Sequence, residues 1–423
     1  MPVKSHARNV KRSFQGSIDM DINEIDRVFE EYIKNKTIPN GILFVRKNGE
    51  LIYRNKWGYS DIEKKIPVQY DSIYRMMSMT KPVTAAAVMT LYDKGFLSID
   101  DPVSKFVPSF KAARVVCDKR YPFPPKNPII SLLGLATYNS EKVKTVKPDR
   151  EMTIRDLLSH SSGLGQGIGG FATMLKDKTE RTTNAEQVEN YARLPLDFQP
   201  GTGTGYSPLA GFDVLVSIIE NASGMSAAEY YKKAIFEPLN MTSSSFFPDS
   251  EKKSRLVHVY KHNRNSLKDV TGTKKDTQSF FRFAEGSTFV CGAGGMYGTI
   301  EDYDNFARML LDGGVFEGRR VLSEKSVQLM QTEAPAIHLE PEPGFVWGLG
   351  VKIRQDPIKG KTPATKGTYG WSGAYGTHFF VSPADNMECV FMTNVSNIGG
   401  ASSKVSFKVE ELVFGIFADK ENK

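Results

Sequence analysis

Cysteine is scarce in this 423-residue chain: Cys117, Cys291 and Cys389 are far apart and odd in number. They suggest neither a disulfide framework nor a zinc site. No apolar run approaches the ~18–20 residues that a membrane-spanning helix requires, so no membrane span is expected. Histidine is sparse too, at six, and no Gly-x-Ser-x-Gly occurs, which argues against a nucleophile elbow with a Ser-His-Asp triad. Low-complexity tracts and internal repeats are missing as well. With 40% hydrophobic and 11% aromatic residues, the composition is that of a folded chain rather than a disordered one.

The charge excess is modest, +7 overall, and Lys4, Arg8, Lys11 and Arg12 supply +4 of it ahead of the first acidic residue, Asp19. Much of the excess is therefore a tail rather than a binding face. A second basic cluster between Lys252 and Lys268 has few stacking aromatics and reads as a solvated polar loop, so no nucleic-acid partner is expected. Between Ser13 and Asp21, where a secretion signal would carry an apolar run, the chain has Gln, Gly, Ser and two Asp. The expected compartment is the cytoplasm.

Residues 1–18 read as a disordered arm. Apolar positions from Ile22 to Ile33 recur at helical spacing, Pro39-Asn40-Gly41 breaks that helix, and a hairpin follows: Ile42 to Val45, the turn at Asn48-Gly49, then Leu51 to Tyr53. Residues 81–94 read as a helix with Pro82 in its first turn and Gly95 as its stop. Between about 96 and 284, helical patches (155–160 and 211–222 the clearest) alternate with Pro-rich connections. Strand patterns return at 348–353, 377–381 and 388–393. A helix closes the chain through Val409, Leu412, Val413, Ile416 and Phe417, with Glu410 and Glu411 expected on its solvent side. These readings predict a mixed α/β (α+β) fold, an antiparallel sheet flanked by helices. Residues 19–95 and 285–423 would form its α/β domain, with a mainly helical domain, 96–284, inserted.

The sharpest chemical feature is Ser78-Met79-Thr80-Lys81, immediately ahead of Pro82. Three-residue spacing puts both side chains on one helical face, a turn apart. A serine hydroxyl attacks well only when a neighbouring base takes its proton. A lysine can serve if burial or nearby positive charge disfavours its ammonium, and free N–H groups at a helix start suit an oxyanion. Chance alone supplies roughly one or two Ser-x-x-Lys matches in a chain this long. A second one, Ser250 to Lys253, lies in a polar run and reads as a loop.

Further along come Leu-Leu-Ser-His-Ser-Ser-Gly-Leu (157–164), Gly-Tyr-Ser-Pro-Leu-Ala-Gly-Phe-Asp (205–213), Gly-Ala-Gly-Gly-Met-Tyr-Gly-Thr-Ile-Glu-Asp-Tyr (292–303) and Gly-Trp-Ser-Gly-Ala-Tyr-Gly-Thr-His-Phe-Phe-Val (370–381). In this order, across residues 22–417, they resemble the serine β-lactamase and penicillin-binding-protein superfamily, and within it the class C β-lactamase-related carboxylesterases of family VIII. The resemblance implies Ser78 as the acylated nucleophile, Lys81 as its base partner and Tyr206 as the proton relay. It implies an oxyanion hole from the Ser78 and Ala374 N–H groups, on what reads as a sheet-edge strand. No cofactor or metal is implied, and the expected partner is a small-molecule ester.

Two departures from the lactamase pattern point the same way. Tyr206-Ser207-Pro208 stands where that pattern has Tyr-x-Asn, and Trp371-Ser372-Gly373 where it has Lys-Thr-Gly. An amide and a carboxylate-binding lysine are thus replaced by Pro208 and an apolar ring, with Trp371, Ser372, Gly373 and Pro208 expected to shape the substrate site. The expected reaction is hydrolysis of short to medium acyl esters, with acyl transfer to an alcohol as an extension. The alternatives are a β-lactamase or D-amino-acid-specific peptidase, and a non-catalytic protein on the same fold. His160 reads as structural, and His378 as a cleft-facing residue on the Ala374 strand at most. Gly165-Gln166-Gly167-Ile168-Gly169-Gly170 fits a dinucleotide fingerprint but follows no strand. His258 and His262 are four apart, but the position after His258 holds Val259 where a zinc protease needs Glu.

Overall fold

Ile42 and Phe44 project to one side of a strand and Leu43 and Val45 to the other, and all four are buried. A sheet containing such a strand must be covered on both faces. In the computed structural model, which describes residues 21–124, 128–177, 180–264, 266–273, 276, 284–334, 342–401 and 403–419, that is the arrangement. The expected arm at 1–18 lies outside the described residues.

The strands of the main sheet are β1 (Asn40–Lys47), β2 (Glu50–Asp61), β3 (Ile66–Pro67), β4 (Phe345–Trp347), β5 (Lys352–Arg354), β6 (Tyr369–Ser372), β7 (His378–Ser382) and β8 (Met387–Met392). They lie in the order β4-β5-β6-β7-β8-β1-β2-β3, every neighbouring pair antiparallel. The join between the two ends of the chain is β1 against β8, with Ile42 opposite Met392 and Lys47 opposite Met387.

The helices that matter for the site are α1 (Asn23–Lys34), α2 (Thr80–Asp93), α3 (Pro128–Thr137), α4 (Ile168–Lys176), α5 (Asn184–Ala192), α6 (Ala210–Ser223), α7 (Ile300–Leu311) and α8 (Lys404–Phe417). Helices α1 and α8 cover one face: Ile25, Phe29, Val409 and Val413 pack with Leu43, Val45 and Phe391. Trp57 stacks on Phe29 there, ring centroids 4.6 Å apart. The opposite face, carrying Ile42 and Phe44, joins a larger core that runs through α2, α6 and α7. Helix α2 is buried along most of its length, Thr80 to Leu91, because core closes around it rather than on one stripe.

Three local expectations need correction. Of the strand expected at 348–353 only Lys352 and Ile353 are strand, the start of β5; residues 348–351 form the turn that joins β4 to β5, closed by the Gly348 N–H donating to Val351 O at 2.9 Å. Ser250 to Lys253 is not a loop but part of a short exposed helix, Ser250–Ser254, capped by Asp249. Glu410 does not face solvent: it is 4% exposed and paired with Arg354 of β5.

Candidate active site

The backbone ahead of α2 is bent and clamped. Tyr74–Arg75 pairs with Tyr297–Gly298, and the Met76 N–H donates to Met296 O at 2.9 Å. Met77 then takes φ +51°, a left-handed conformation that costs a non-glycine residue roughly 1–2 kcal/mol. A 3-10 turn, Met77–Met79, leads straight into α2. Hydroxyls hold this corner from three directions. Tyr303 donates to Met79 O at 2.7 Å, Thr377 donates to Met76 O at 3.0 Å, and Thr80 accepts from the Met296 N–H at 3.1 Å. Ser78 sits at the bend, half-buried between the buried Met77 and Met79.

Lys81 is fully buried one turn on. Its Nζ donates to Ala293 O at 2.7 Å, to Pro208 O at 2.9 Å and to Ser78 Oγ at 3.4 Å. Three acceptors for three N–H bonds is the bonding pattern of an ammonium. The same nitrogen lies 4.8 Å from the ring centre of Tyr206, whose Oη is 2.6 Å from Ser78 Oγ. Ser78, Lys81 and Tyr206 are therefore brought together, and Tyr206 makes the shorter contact with the serine.

His160 holds Tyr206 in place. Its carbonyl accepts from the Gly205 N–H, and its Nδ1 accepts from the Ser207 N–H, both at 3.1 Å. Burial, reinforced by the nearby Lys81 charge, pushes the imidazole well below its ordinary pKa. It is thus a neutral ring able to accept at Nδ1. Asp213 stands behind Lys81, accepting from Tyr191 Oη at 2.9 Å and from the Ala293 N–H at 3.4 Å. Burial pushes its carboxyl up to about 6.

Ala374 lies in the turn between β6 and β7, where the Gly376 N–H donates to Gly373 O at 3.0 Å. Ala374 itself is exposed, and its N–H bonds to nothing among the described residues. A Cβ on Gly373 would stand 2.3 Å from Met76 O and 2.2 Å from Thr377 Oγ1, so only glycine lets this turn close on the Ser78 corner. The expected edge strand is corrected here: β6 is an inner strand between β5 and β7. Its pairing with β5 stops at Gly370, opposite Lys352, so Trp371 and Ser372 outrun that neighbour and keep a locally unpaired edge.

Two of the chain's three tryptophans meet at this point. Trp371 and Trp347 are 4.8 Å apart edge to face, and Trp371 is 5.2 Å from the Tyr206 ring. Trp347 also packs on His160 at 4.4 Å. Sequence reasoning missed Trp347, although its rarity was a usable signal. Lys352 of β5 lies 5.5 Å from the Trp371 ring, near the lysine lost from the motif, but its ammonium is engaged by Glu342 at 3.0 Å. Ser372 is buried, with Oγ 2.7 Å from His378 Nδ1. His378 is on β7, not on the strand leading into Ala374, and its Nε2 is 3.2 Å from Glu410 Oε1. Burial alone would raise the Glu410 carboxyl, but the Arg354 guanidinium and the His378 contact bring it down to about 2.

Beyond Pro208 a cavity of about 290 Å³ opens, lined by Phe171, Met174, Tyr191, Leu194 and Leu209 among others. The glycine-rich turn at 165–170 holds no nucleotide cradle. The Asp197 carboxylate already accepts from the N–H groups of Gln166, Gly167, Gly169 and Gly170, filling the place an anion would take.

The family described as Beta-lactamase matches residues 25–404. Esterase EstB of Burkholderia gladioli is 25% identical over 408 residues, spanning 92% of this chain and 94% of its own. Penicillin-binding protein 4* of Bacillus subtilis (strain 168) is 23% identical, spanning 89% of this chain and 72% of its own. Among solved structures, EstCE1, a hydrolase with promiscuous acyltransferase activity, superposes with a TM-score of 0.72 at 21% identity, covering 94% of this chain and 98% of its own.

Proposed function

The chain belongs to the Beta-lactamase family of hydrolases, and we propose that within it this protein is a serine carboxylesterase of the family VIII type, acting on short to medium acyl esters. The observation that carries this reading is the trio at the bend. Ser78 Oγ has Tyr206 Oη at 2.6 Å and Lys81 Nζ at 3.4 Å, and Trp371 walls the same site. An apolar wall suits a neutral acyl ester, and Lys352 beside Trp371 already has Glu342 as its counter-ion. The likeness to EstB, an esterase by name, supports the same substrate class.

In the proposed cycle the substrate carbonyl oxygen lies between the N–H groups of Ser78 and Ala374. Tyr206, as a phenolate beside the Lys81 ammonium, takes the Ser78 proton while Oγ bonds to the carbonyl carbon. The oxyanion is held by the two N–H groups. It collapses to the acyl-enzyme as the alkoxide leaves with the proton from Tyr206. Water, or a second alcohol, then gives its proton to Tyr206 and attacks, and collapse returns that proton to Ser78. Lys81 stays an ammonium throughout, fixed by two carbonyls.

Turnover of p-nitrophenyl acetate, butyrate and octanoate beside nitrocefin, for wild type and Ser78→Ala, tests this. The expectation is fast ester cleavage that the variant loses, with little nitrocefin turnover. More than roughly a percent of ester activity surviving in Ser78→Ala would remove Ser78 from the chemistry, given general base and nucleophile effects of this size. Nitrocefin turnover rivalling the esters would move the function to lactams.

A further inference from the structure

Helices α3 and α4 each bury one side and leave the other uncovered. The inner side of α3 packs through Ile130, Gly134 and Leu135 on Tyr121, Tyr138 and Ile168. On its outer side Ile129, Leu132 and Leu133 are 70%, 71% and 60% exposed. Their spacing puts them on one face. Beside them α4 exposes Phe171 and Leu175, one turn apart. Folded soluble chains seldom leave so many large apolar side chains together without a use for them.

Helix α3 itself carries no charge, but the chain on both sides of it is basic. Residues 111–147 hold eight Lys and Arg against Asp118 and Glu141 alone, and Asp118 is already paired with Arg120. Arg114, Lys119, Lys142, Lys144 and Lys147 are exposed and make no ion pair among the described residues. At ten residues α3 is far too short to cross a bilayer.

We propose that this face docks peripherally on an anionic lipid bilayer. Ile129, Leu132 and Leu133 enter the boundary between headgroups and acyl chains, and the flanking cations meet the headgroup charge. Charge decides between lipid and a second copy of the chain. The segments that flank α3 are cationic in sum, so two copies brought together there would oppose like charge, whereas an anionic surface complements it. Phe171 also lines the cavity that reaches Pro208, so docking sets that cavity's mouth beside the lipid.

Co-sedimentation of the full chain with phosphatidylcholine vesicles, with and without phosphatidylserine, tests the proposal. Wild type should pellet with the anionic vesicles and not with the neutral ones, and added salt should release it. Leu132→Glu with Leu133→Glu should abolish binding, and Lys142→Glu or Lys144→Glu should weaken it roughly fivefold or more each. All of these variants should keep the wild-type melting temperature and p-nitrophenyl acetate turnover, since the side chains are exposed and none belongs to the Ser78 site. Absence of wild-type binding to anionic vesicles would overturn the proposal. So would binding that the leucine variants retain, or a concentration-dependent dimer that the leucine variants dissolve.

Discussion

Replacing Tyr206 by Phe removes one oxygen and leaves the rest of the site standing. The ring keeps its neighbours: His160 at 4.9 Å, Trp371 at 5.2 Å and Trp347 at 6.2 Å. What goes is the Oη 2.6 Å from Ser78 Oγ. Ser78 is half-exposed, so water can take the vacated place and stability should fall by no more than about 1 kcal/mol. The chemical loss is larger. A positioned general acid–base is worth ~10²–10⁴ in rate, or about 3–5 kcal/mol of barrier. On p-nitrophenyl butyrate, kcat should drop at least about a hundredfold. KM should stay nearly unchanged, because the phenol meets the transferring proton and not the acyl chain. Lys81→Met should behave differently. It strands the carbonyls of Ala293 and Pro208 in the interior, at ~1–3 kcal/mol each, so melting temperature falls along with activity. A Tyr206→Phe enzyme within about threefold of wild type, beside a Lys81→Met enzyme that is inactive yet equally stable, would refute this reasoning: the proton would then pass to the lysine, and the ~10²-fold acid–base effect would belong there.

Other expectations follow from the same geometry. Gly373→Ala forces a methyl to within 2.3 Å of Met76 O and pushes the Ala374 N–H off the carbonyl site; kcat should fall ~10²-fold, as on losing an oxyanion donor, with Ser78 still open to labelling by a fluorophosphonate. Asp213, raised from 3.8 to about 6 by burial, binds a proton more readily folded than unfolded. Its stabilising contribution is present below pH ~4 and is lost as pH rises through about 6, and Asp213→Asn should flatten that part of a melting-temperature profile against pH. Glu410, lowered to about 2, acts in the opposite sense: its contribution holds above pH ~4.5 and fades as the medium becomes acid. Glu410→Gln, leaving Arg354 without its buried partner, should cost ~3–5 kcal/mol in chemical denaturation.

What could be read in advance was whatever depends on near neighbours in the chain. Ser78 and Lys81 share a helical face by covalent spacing. The β1–β2 hairpin is announced by Asn48-Gly49, and α8 by its row of apolar residues. Legibility failed where a partner comes from far along the chain. The helical pattern of α8 leaves Glu410 beside the polar side, and nothing local says that Arg354, 56 residues earlier, will draw it inside. The strand at 370–372 has the look of an edge because it outruns β5, although the sheet continues past it. Trp347 reaches Tyr206 from β4, a short strand that lies outside the 348–353 pattern. The glycine-rich turn at 165–170 looks like an anion cradle until Asp197, a distant carboxylate, is seen in it.

The placement of the three tryptophans gives this protein two separate optical reporters. Trp371 and Trp347 are in contact beside Tyr206, both with buried indole N–H groups that find no acceptor among the described residues. Trp57 lies across the sheet, stacked on Phe29. Ligand arriving at Ser78 therefore perturbs one pair of fluorophores while the third is left as an internal reference. Quenching by an acyl-site ligand in the wild type, compared with a Trp57→Phe protein, would resolve occupancy of the site without any chromogenic substrate.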